Sequence, residues 1–381
     1  MDIAQHVTEL IYSHTLRSHI LKMPLLNTRF LESHRELRLA HLALSVMTMG
    51  YVWQEGENDT VKILPRNLAV PYWKVSQRLG LPPILTHADA VLANWKKRDP
   101  HGNLELLVTL PGGDSVRGFF MVTLLVELAA VPAIKSIPLV INGVQCGDAE
   151  TVTRALEEIS QAMEGMTDAL KLMHAYVKPD VFYGIIRIYL SGWKDNSSMP
   201  AGLVYEGIQA EPMEYSGGSA AQSSLLHCFD ELLGVKHEEN CAFLTRMRNY
   251  MPSSHKHLIQ DISLQPSLRG FVQQEASELL TAAFQLCVTK LMALRSYHIN
   301  VVSCFITIPA ARARQLRRQG NSSQEETVSR APTALEETGT GGSGIMSFLK
   351  TVRDRTRDVS LPGVIDMLCI NDATLSVQTL I

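Results

Sequence analysis

The sequence predicts an all-α protein of two domains, a small N-terminal helical domain (residues 1–108) and a large C-terminal helical bundle (residues 109–381). The chain has 381 residues, 46% of them hydrophobic, which is ample for a sizeable core and more than one typical domain needs. Apolar residues recur at helical spacing, and strand-like alternation is scarce. Residues 100–113 begin with a proline and end in two glycines, and they mark the expected seam.

The first hundred residues are expected to form several helices separated by short turns. The turn signals are Gly56-Glu57-Asn58-Asp59, Pro65, Pro71, Gly80 and Pro82-Pro83. Proline and glycine at such intervals are typical of helix ends and loops.

The clearest helix of the second domain covers residues 152–177. Asp148 is a suitable residue to cap its start. Its apolar residues alternate steps of four and three and form one stripe: Val152, Leu156, Ile159, Met163, Met166, Leu170, Met173 and Val177. Similar patterns cover residues 223–233, 241–250, 273–308 and 345–352. The second half is therefore predicted to be an α bundle.

A mobile loop is expected at residues 310–344. This segment has few large apolar residues and many Arg, Gln, Ser, Glu and Gly residues, so it cannot bury enough surface to order itself. Helical periodicity returns at Ile345. A long loop between two core helices is either a lid over a site or a plain disordered insertion.

Composition narrows the function classes. The net charge of −3 gives no reason to expect a nucleic-acid partner or an acidic membrane surface. The apolar stretch 118–134 is interrupted by Glu127 and Pro132, and we expect a buried helix there, not a membrane span. Six scattered cysteines without a Cys-x-x-Cys pair, and no secretory signal at the N-terminus, predict reduced thiols in a cytoplasmic protein.

One histidine stands out as a candidate metal ligand. His298 lies in a long apolar helical stretch, with Arg295 three residues earlier on the same face. It is either an ordinary core histidine or an axial ligand to a buried metal centre. Asp230 lies in another apolar run, where a lone acid would be costly, and could pair with Arg295. A nearby carboxylate would orient a ligating imidazole; the alternative is a structural ion pair beside a core histidine.

Aromatic pairs and one arginine are candidates for an aromatic, anionic ligand. Phe119-Phe120 and Phe182-Tyr183 would provide flat apolar walls, although ordinary core packing explains such pairs equally well. Arg187 lies among apolar residues, where a guanidinium favours a planar anion such as a carboxylate. An internal ion pair is the alternative for Arg187.

Four segments together resemble the indoleamine 2,3-dioxygenase family. They are Arg-Ile-Tyr-Leu-Ser-Gly-Trp at 187–193, Tyr-Ser-Gly-Gly-Ser at 215–219, Leu-Arg-Ser-Tyr-His at 294–298 and Gly-Thr-Gly-Gly-Ser at 339–343. The resemblance covers residues 1–356, begins inside the small domain of the family and fails after Arg357, in the tail of residues 359–381. It implies a monomeric, two-domain, all-helical haem dioxygenase that uses O2 to open the indole ring of L-tryptophan, giving N-formylkynurenine in the first step of the kynurenine pathway.

The resemblance also implies roles for individual residues around a haem b that is active in the ferrous state. His298 would be the iron ligand, and Asp230 with Arg295 would form a charged pair beneath it. Gly218 and Ser219 would lie at the edge of the haem pocket, with Ser219 near a propionate.

On the substrate side, the resemblance assigns the tryptophan carboxylate to Arg187. Phe119, Phe182 and Tyr183 would bracket the indole, Thr123 would line the pocket, and Thr340 would close over the substrate. Thr123 and His87 are the residue types of the second of two forms of this family, which is regarded as the weaker catalyst.

A competing hypothesis is a weakly active or non-catalytic haem-binding protein that acts as a signalling scaffold in immune regulation. Tyr72 and Tyr205 each lie in an apolar-x-Tyr-x-x-apolar pattern. If phosphorylated, either tyrosine could dock on an SH2-type partner through its arginine-bearing pocket. The pattern is short, so two ordinary buried tyrosines remain the alternative.

Overall fold

The prediction of an all-α fold is confirmed by the computed structural model, which describes residues 2–99, 102–238, 240–319 and 344–361. The helices of these ranges are α1 (Asp2–Gln5), α2 (Val7–Tyr12), α3 (Leu16–Lys22), α4 (His34–Trp53), α5 (Arg66–Leu79), α6 (Gly113–Ala129), α7 (Val131–Cys146), α8 (Ala149–Lys171), α9 (Met173–Tyr176), α10 (Pro179–Val181), α11 (Ser224–Leu233), α12 (Cys241–Arg248), α13 (Ser253–Ser263), α14 (Leu268–Glu275), α15 (Glu278–Val302), α16 (Ile308–Gln319) and α17 (Ile345–Arg357).

Tighter and wider helical turns occur at several connections. The π-helical segments are Ala88–Ala93, Phe182–Ile186 and Ser303–Thr307, and the 3-10 turns are Thr28–Phe30, Gly56–Asp59, Arg187–Leu190 and Ala220–Gln222. Strands β1 (Ile63–Leu64) and β4 (Val204–Tyr205) pair in parallel, with Ile63 opposite Val204. Strands β2 (Lys96–Lys97) and β3 (Leu104–Glu105) pair antiparallel, with Lys96 opposite Glu105. These short ladders only join loops within a helical protein.

A first hydrophobic core forms around α4. This helix starts with a capping box in which Ser33 and Glu36 satisfy each other's backbone N–H groups, and its second half is buried on all sides. The same core includes residues from beyond position 108, and the indole N–H of Trp53 donates to the carbonyl of Ser191 at 3.1 Å. The two-domain division at 108/109 therefore stays a prediction, because this core spans it.

A second core lies between α7, α8 and α15. The stripe on α8 is buried as the periodicity indicates, and Asp148 caps the helix by accepting from the backbone N–H of Thr151 at 3.0 Å. The helix predicted over residues 152–177 ends earlier, at Lys171, and α9 follows as a separate turn. The alternating steps of four and three thus identified the buried face of this helix, but they did not predict that the helix ends at Lys171.

The helix predicted over residues 273–308 is also divided. Ala276 has φ of +48°, a left-handed conformation that ends α14, and Ser277 caps α15 by accepting from the N–H of Leu280. Helix α15 then carries Arg295 and His298 in its last three turns. The local signal of this boundary is the polar stretch Gln273-Gln274-Glu275-Ala276-Ser277-Glu278, in which Ser277 is a suitable capping residue.

The predicted mobile loop 310–344 is wrong for residues 310–319, which belong to α16. Ala310 and Ala313 are buried against Tyr183, and alanine and arginine are strong helix formers. A low content of large apolar residues therefore did not prevent order there. Residues 320–343 lie outside the described ranges.

Two helical stretches, Gly113–Cys146 and Glu278–Arg318, are long and apolar enough to cross a membrane by length and composition alone. Core helices of soluble proteins meet the same criterion. Within the first stretch, α6 and α7 each bury one face, for example with Phe120 and Ile137. The expectation of a buried helix at residues 118–134 is thus met on one face, while Leu125, Leu128 and Val131 are exposed.

Candidate active site

Three adjoining cavities meet at His298. The first encloses about 1110 Å³ of space including its open mouth, the second about 900 Å³ and the third about 540 Å³. His298 and Ala220 line all three. The first and second cavities also share Phe119, Leu190 and Ser219. The three cavities therefore border one another at His298, and most of their lining is apolar.

The imidazole of His298 is neutral, and no group of the described residues is hydrogen-bonded to it. Burial alone lowers its pKa to about 4, because removing a charged ring from water is costly. Its side chain opens onto the cavities and is only half-buried by surface area. No hydrogen bond to either ring nitrogen occurs within the described parts of the chain. A nitrogen lone pair is thus available inside an apolar cavity at neutral pH.

Aromatic side chains form one wall of the second cavity. The rings of Phe119 and Phe182 lie 4.9 Å apart between centroids, and Phe182 meets Phe305 edge-on at 6.0 Å. Phe119 and Phe182 both line this cavity, as predicted for residues that hold a flat ligand. Tilted and edge-on contacts of this kind are favourable for aromatic groups.

Arg187 lines the second cavity although it is only 1% exposed. Burial lowers the pKa of its guanidinium to about 10, and Tyr183 acts in the opposite direction. The group therefore keeps its positive charge at neutral pH in an apolar setting. A buried guanidinium beside a cavity suits a carboxylate ligand.

Tyr183 does not line any of the three cavities described above, contrary to the expectation that it brackets a ligand. It packs against Ala310 and Ala313, and the guanidinium of Arg187 lies 5.5 Å from its ring centroid. Neighbouring residues on a helical turn point in different directions. Because Phe182 faces the cavity, Tyr183 faces α16 and positions Arg187.

Asp230 and Arg295 form the predicted ion pair. Nη2 of Arg295 donates to both carboxylate oxygens of Asp230, at 2.7 and 2.8 Å, and Nη1 contacts the hydroxyl of Thr356 on α17. Burial opposes the charge on Asp230, but Arg295 and His237 outweigh it and lower the pKa of the carboxyl group. His237 also bonds to Asp230 at 2.8 Å. This histidine was not singled out from the sequence.

The carboxylate of Asp230 therefore does not orient His298, as the sequence had led us to consider. It is saturated by Arg295 and His237. Arg295 itself lines the first and third cavities next to His298. The pair lies beside the imidazole without bonding to it, and it can influence the ring through its electric field, through packing and through the shared backbone of α15.

The segments 187–193 and 215–219 lie against each other. The N–H groups of Trp193 and Lys194 both donate to the carbonyl of Tyr215, at 3.0 and 2.9 Å, and that of Gly218 donates to Leu190 at 2.9 Å. A side chain on Gly192 would overlap the carbonyl oxygen of Tyr215, so only glycine fits. This contact brings Gly218 and Ser219 to the cavity wall.

Two hydroxyl groups predicted for the pocket are present there. The hydroxyl of Thr123 donates to the carbonyl of Phe119 at 2.7 Å, and Ser219 accepts from the N–H of Ala221 at 3.2 Å. Both residues line the first cavity. Thr340, predicted to close over a substrate, lies outside the described residues.

A polar group on the wall of the first cavity was missed as a site. His87 bonds to Glu127 at 2.8 Å, and Ser223 donates to the same carboxylate oxygen at 2.6 Å. Glu127 interrupts an otherwise apolar helix, and that interruption was the available signal. The role of Glu127 depends on its hydrogen bond to His87, forty residues earlier in the sequence.

Tyr72 and Tyr205 are both fully buried. The hydroxyl of Tyr72 lies 2.7 Å from that of Ser45, and Tyr205 donates to the carbonyl of Pro83 at 2.7 Å. Neither tyrosine is presented to a partner in the folded chain. Their apolar flanking residues reflect core packing.

A metal in this space would need ligands beyond the protein. The described ranges contain no group of three or more His, Cys, Asp or Glu side chains able to hold an ion. A single neutral histidine in a wide apolar slot suits a metal that brings its own flat macrocycle, such as haem. The residues therefore fit the predicted cofactor.

Comparison with known proteins supports this chemistry. The indoleamine 2,3-dioxygenase family model matches residues 1–359. Indoleamine 2,3-dioxygenase 2 of Mus musculus is 50% identical over 370 residues, covering 95% of this chain and 89% of that protein. Indoleamine 2,3-dioxygenase 1 of Rattus norvegicus is 44% identical over 368 residues (94% and 88%), and a myoglobin of Haliotis madaka is 38% identical over 360 residues (94% and 90%). The chain belongs to the indoleamine 2,3-dioxygenase family of oxidoreductases, and the predicted likeness to its second form is confirmed.

Proposed function

We propose that this chain is a haem-dependent dioxygenase that opens the indole ring of L-tryptophan with O2 to give N-formylkynurenine. The observation that carries the proposal is the neutral imidazole of His298 at the junction of three cavities, with no hydrogen-bond partner among the described residues. A buried guanidinium, Arg187, lies in the neighbouring cavity wall. The imidazole suits the iron of a haem, and the guanidinium suits the carboxylate of an amino-acid substrate.

His298 would hold the cofactor, and Ser219 and Arg295, which also line the first cavity, would receive its acidic edge. When bound, haem b in its ferrous state supplies the iron at which O2 is activated. The reaction inserts both atoms of O2 across the C2–C3 bond of the indole, so atoms balance without a further reductant. The protein contributes binding, orientation and exclusion of water.

Arg187 would bind the substrate carboxylate, because its charge persists in an apolar wall and a planar guanidinium matches a carboxylate. Phe119 and Phe182 would hold the indole between them and the cofactor face. Tyr183 acts through Arg187, since its ring lies under the guanidinium. Fixing both ends of the substrate would align the C2–C3 bond.

A haem protein that does not turn over tryptophan is the second candidate. It is favoured by one observation, the 38% identity to a protein named myoglobin. The same site, with its neutral histidine and apolar walls, would serve a haem that only binds O2. The scaffold hypothesis receives less support, because Tyr72 and Tyr205 are buried.

We further propose that the protein is a cytoplasmic monomer. The five cysteines within the described ranges are all free thiols, which agrees with a reducing compartment.

The experiment that tests the proposal starts with the full chain and added haem. The absorption spectrum is recorded after reduction and after carbon monoxide addition, for wild type and His298→Ala. We expect a sharp Soret shift in wild type that His298→Ala loses, and N-formylkynurenine formation by wild type under O2. A folded wild type without a specific haem spectrum refutes the proposal. A haem spectrum without product favours the second candidate.

A further inference from the structure

Residues 21–30, at the end of α3 and in the connection to α4, expose several large apolar side chains. They are Leu21, Leu25, Leu26 and Phe30, which are 61%, 53%, 42% and 67% exposed. A single exposed apolar side chain is ordinary, but a cluster of them on one short stretch is typical of an interaction surface. We call residues 21–30 the apolar segment.

The backbone of the apolar segment is fixed by α5. The side-chain amide of Asn67 donates to the carbonyls of Ile20 and Met23, at 2.6 and 2.7 Å. The guanidinium of Arg78 donates to the carbonyl of Thr28 at 3.3 Å. The exposed side chains therefore project from a backbone that is already ordered, and little conformational freedom is lost when they bind.

Cations surround the apolar segment. Residues 16–31 contain Arg17, Lys22 and Arg29, residues 66–79 contain Arg66, Lys74 and Arg78, and neither stretch contains Asp or Glu. Lys74 and Arg78 are four residues apart and share one face of α5. The cationic border, as we call it, consists of four exposed residues: Lys22, Arg29, Lys74 and Arg78.

The nearby acids do not cancel this charge. Arg17, which is not part of the border, is paired with Asp59 at 2.8 Å. Glu32 and Glu36 follow the apolar segment, and the carboxylate of Glu36 accepts from the N–H groups of Glu32 and Ser33, at 2.9 and 2.8 Å. The four cations of the border outnumber these two acids. The net charge of −3 for the whole chain therefore conceals a local positive surface.

An apolar cluster with a cationic border matches a membrane that contains anionic lipids. Apolar side chains enter the boundary between headgroups and acyl chains, while Lys and Arg reach the headgroup phosphates, and the two contributions add. The guanidinium of Arg29 lies 4.7 Å from the ring centroid of Phe30, so both kinds of group occur side by side. A second copy of this chain fits less well, because a symmetric contact would bring like charges together.

We propose that the apolar segment and the cationic border form a docking surface for membranes rich in anionic lipids. The apolar side chains enter the interfacial layer, and the border binds the headgroup phosphates. None of these residues lines the three cavities around His298. Membrane docking therefore needs neither haem nor substrate, and it does not depend on the proposed function.

The test measures how the full chain partitions onto lipid vesicles in a co-sedimentation assay. One set of vesicles contains phosphatidylcholine and phosphatidylserine at about three to one, and the other contains phosphatidylcholine alone. The apolar variant combines Leu25→Ser with Phe30→Ser, and the cationic variant combines Lys22→Gln with Lys74→Gln. Circular dichroism establishes that each variant is folded, and sedimentation velocity without vesicles reports self-association.

Matched controls change the same residue types elsewhere on the surface. The apolar control combines Leu264→Ser with Leu279→Ser, two leucines that are 72% and 76% exposed. The cationic control combines Lys135→Gln with Lys350→Gln, two exposed lysines. The cationic control alters the net charge of the chain as much as the cationic variant does, so it separates a local effect from a general one.

We expect wild type to bind the phosphatidylserine vesicles at least tenfold more strongly than phosphatidylcholine alone, since each cation near an anionic surface adds to binding. The apolar and cationic variants should each weaken binding about tenfold, and both controls should bind like wild type. Added salt should weaken wild-type binding, because it screens exposed charges.

Three outcomes would overturn the docking surface. The first is folded wild type that binds neither set of vesicles or binds both equally, and the second is binding that both variants retain. The third is self-association that the apolar variant abolishes, without vesicle binding, which would assign the surface to a contact between copies of the chain. The haem spectrum and N-formylkynurenine assay test the proposed function separately, so either idea can fail alone.

Discussion

The guanidinium of Arg295 donates from one nitrogen to both carboxylate oxygens of Asp230, at 2.7 and 2.8 Å, in a buried contact between α15 and α11. The contact links residues 65 positions apart in the sequence. It lies one turn before His298, so the stability of this pair and the position of the imidazole are coupled through the same helix.

Replacement of Asp230 with asparagine should destabilise the fold strongly. Arg295 would remain buried without a counter-charge, and breaking one partner of a buried ion pair costs about 3–5 kcal/mol. Urea unfolding of the haem-free chain measures this loss. The control is Asp168→Asn, which breaks an exposed pair with Lys171 and should leave the free energy of unfolding almost unchanged. Equal effects of the two variants would show that the buried pair is not special.

Acid should weaken the fold through the same carboxylate. The pKa of Asp230 is lower in the folded chain than in the unfolded one, so the unfolded state binds more protons as the pH falls. The stabilisation is present above the ordinary aspartate pKa of about 4 and is lost as the pH falls through the lower folded value. Wild type should lose stability in that acid range more steeply than Asp230→Asn. Parallel pH profiles of the two proteins would contradict the assignment.

Arg187→Lys should weaken tryptophan binding while leaving the haem spectrum intact. Lysine keeps the charge but loses the planar pair of donors, and charged hydrogen bonds contribute about 1.5–3 kcal/mol. We expect the dissociation constant of L-tryptophan to rise about 10- to 100-fold. Calorimetry on the haem-loaded protein checks this, with Arg154→Lys on the exposed face of α8 as the matched control. Unchanged affinity would remove Arg187 from the carboxylate site.

A tyrosine kinase should not label Tyr72 or Tyr205 in the folded chain. Both are fully buried with bonded hydroxyls, whereas Tyr12 and Tyr176 are 60% and 61% exposed. Mass spectrometry of native and urea-unfolded protein after kinase treatment separates the two pairs. Rapid native labelling of Tyr72 or Tyr205 would revive the scaffold hypothesis, because it would require frequent local opening.

Helical periodicity and capping residues identified much of the fold in advance. The stripe on α8 and the cap at Asp148 are local features, determined by residues three or four positions apart. The errors occurred where tertiary contacts decided the outcome. The left-handed backbone of Ala276 ends α14 inside the helix predicted over residues 273–308, and α16 is ordered because its alanines pack against Tyr183.

For the candidate site, the sequence indicated the residue types but not all of their partners. His298, Arg187, Phe119 and Phe182 line the cavities as expected. Tyr183 turns away from the cavities and packs against Ala310 and Ala313 of α16, a tertiary contact that the sequence spacing did not indicate. The hydrogen bonds of His237 to Asp230 and of His87 to Glu127 were not anticipated. The first crosses the end of α11 and the second joins residues forty positions apart, so neither follows from the spacing within one helix.

The sequence by itself determined the helical class, the buried face of α8 and the presence of a histidine, an arginine and an acid in apolar surroundings, because these depend on local spacing and composition. Only the tertiary structure decided which charges neutralise each other and which groups stay open to a ligand. Asp230 is paired with Arg295 and His237, while no group in the described ranges bonds to the ring nitrogens of His298. The physical reason is that burial penalises every unpaired polar group, so the choice of partners follows from the packing of all helices at once.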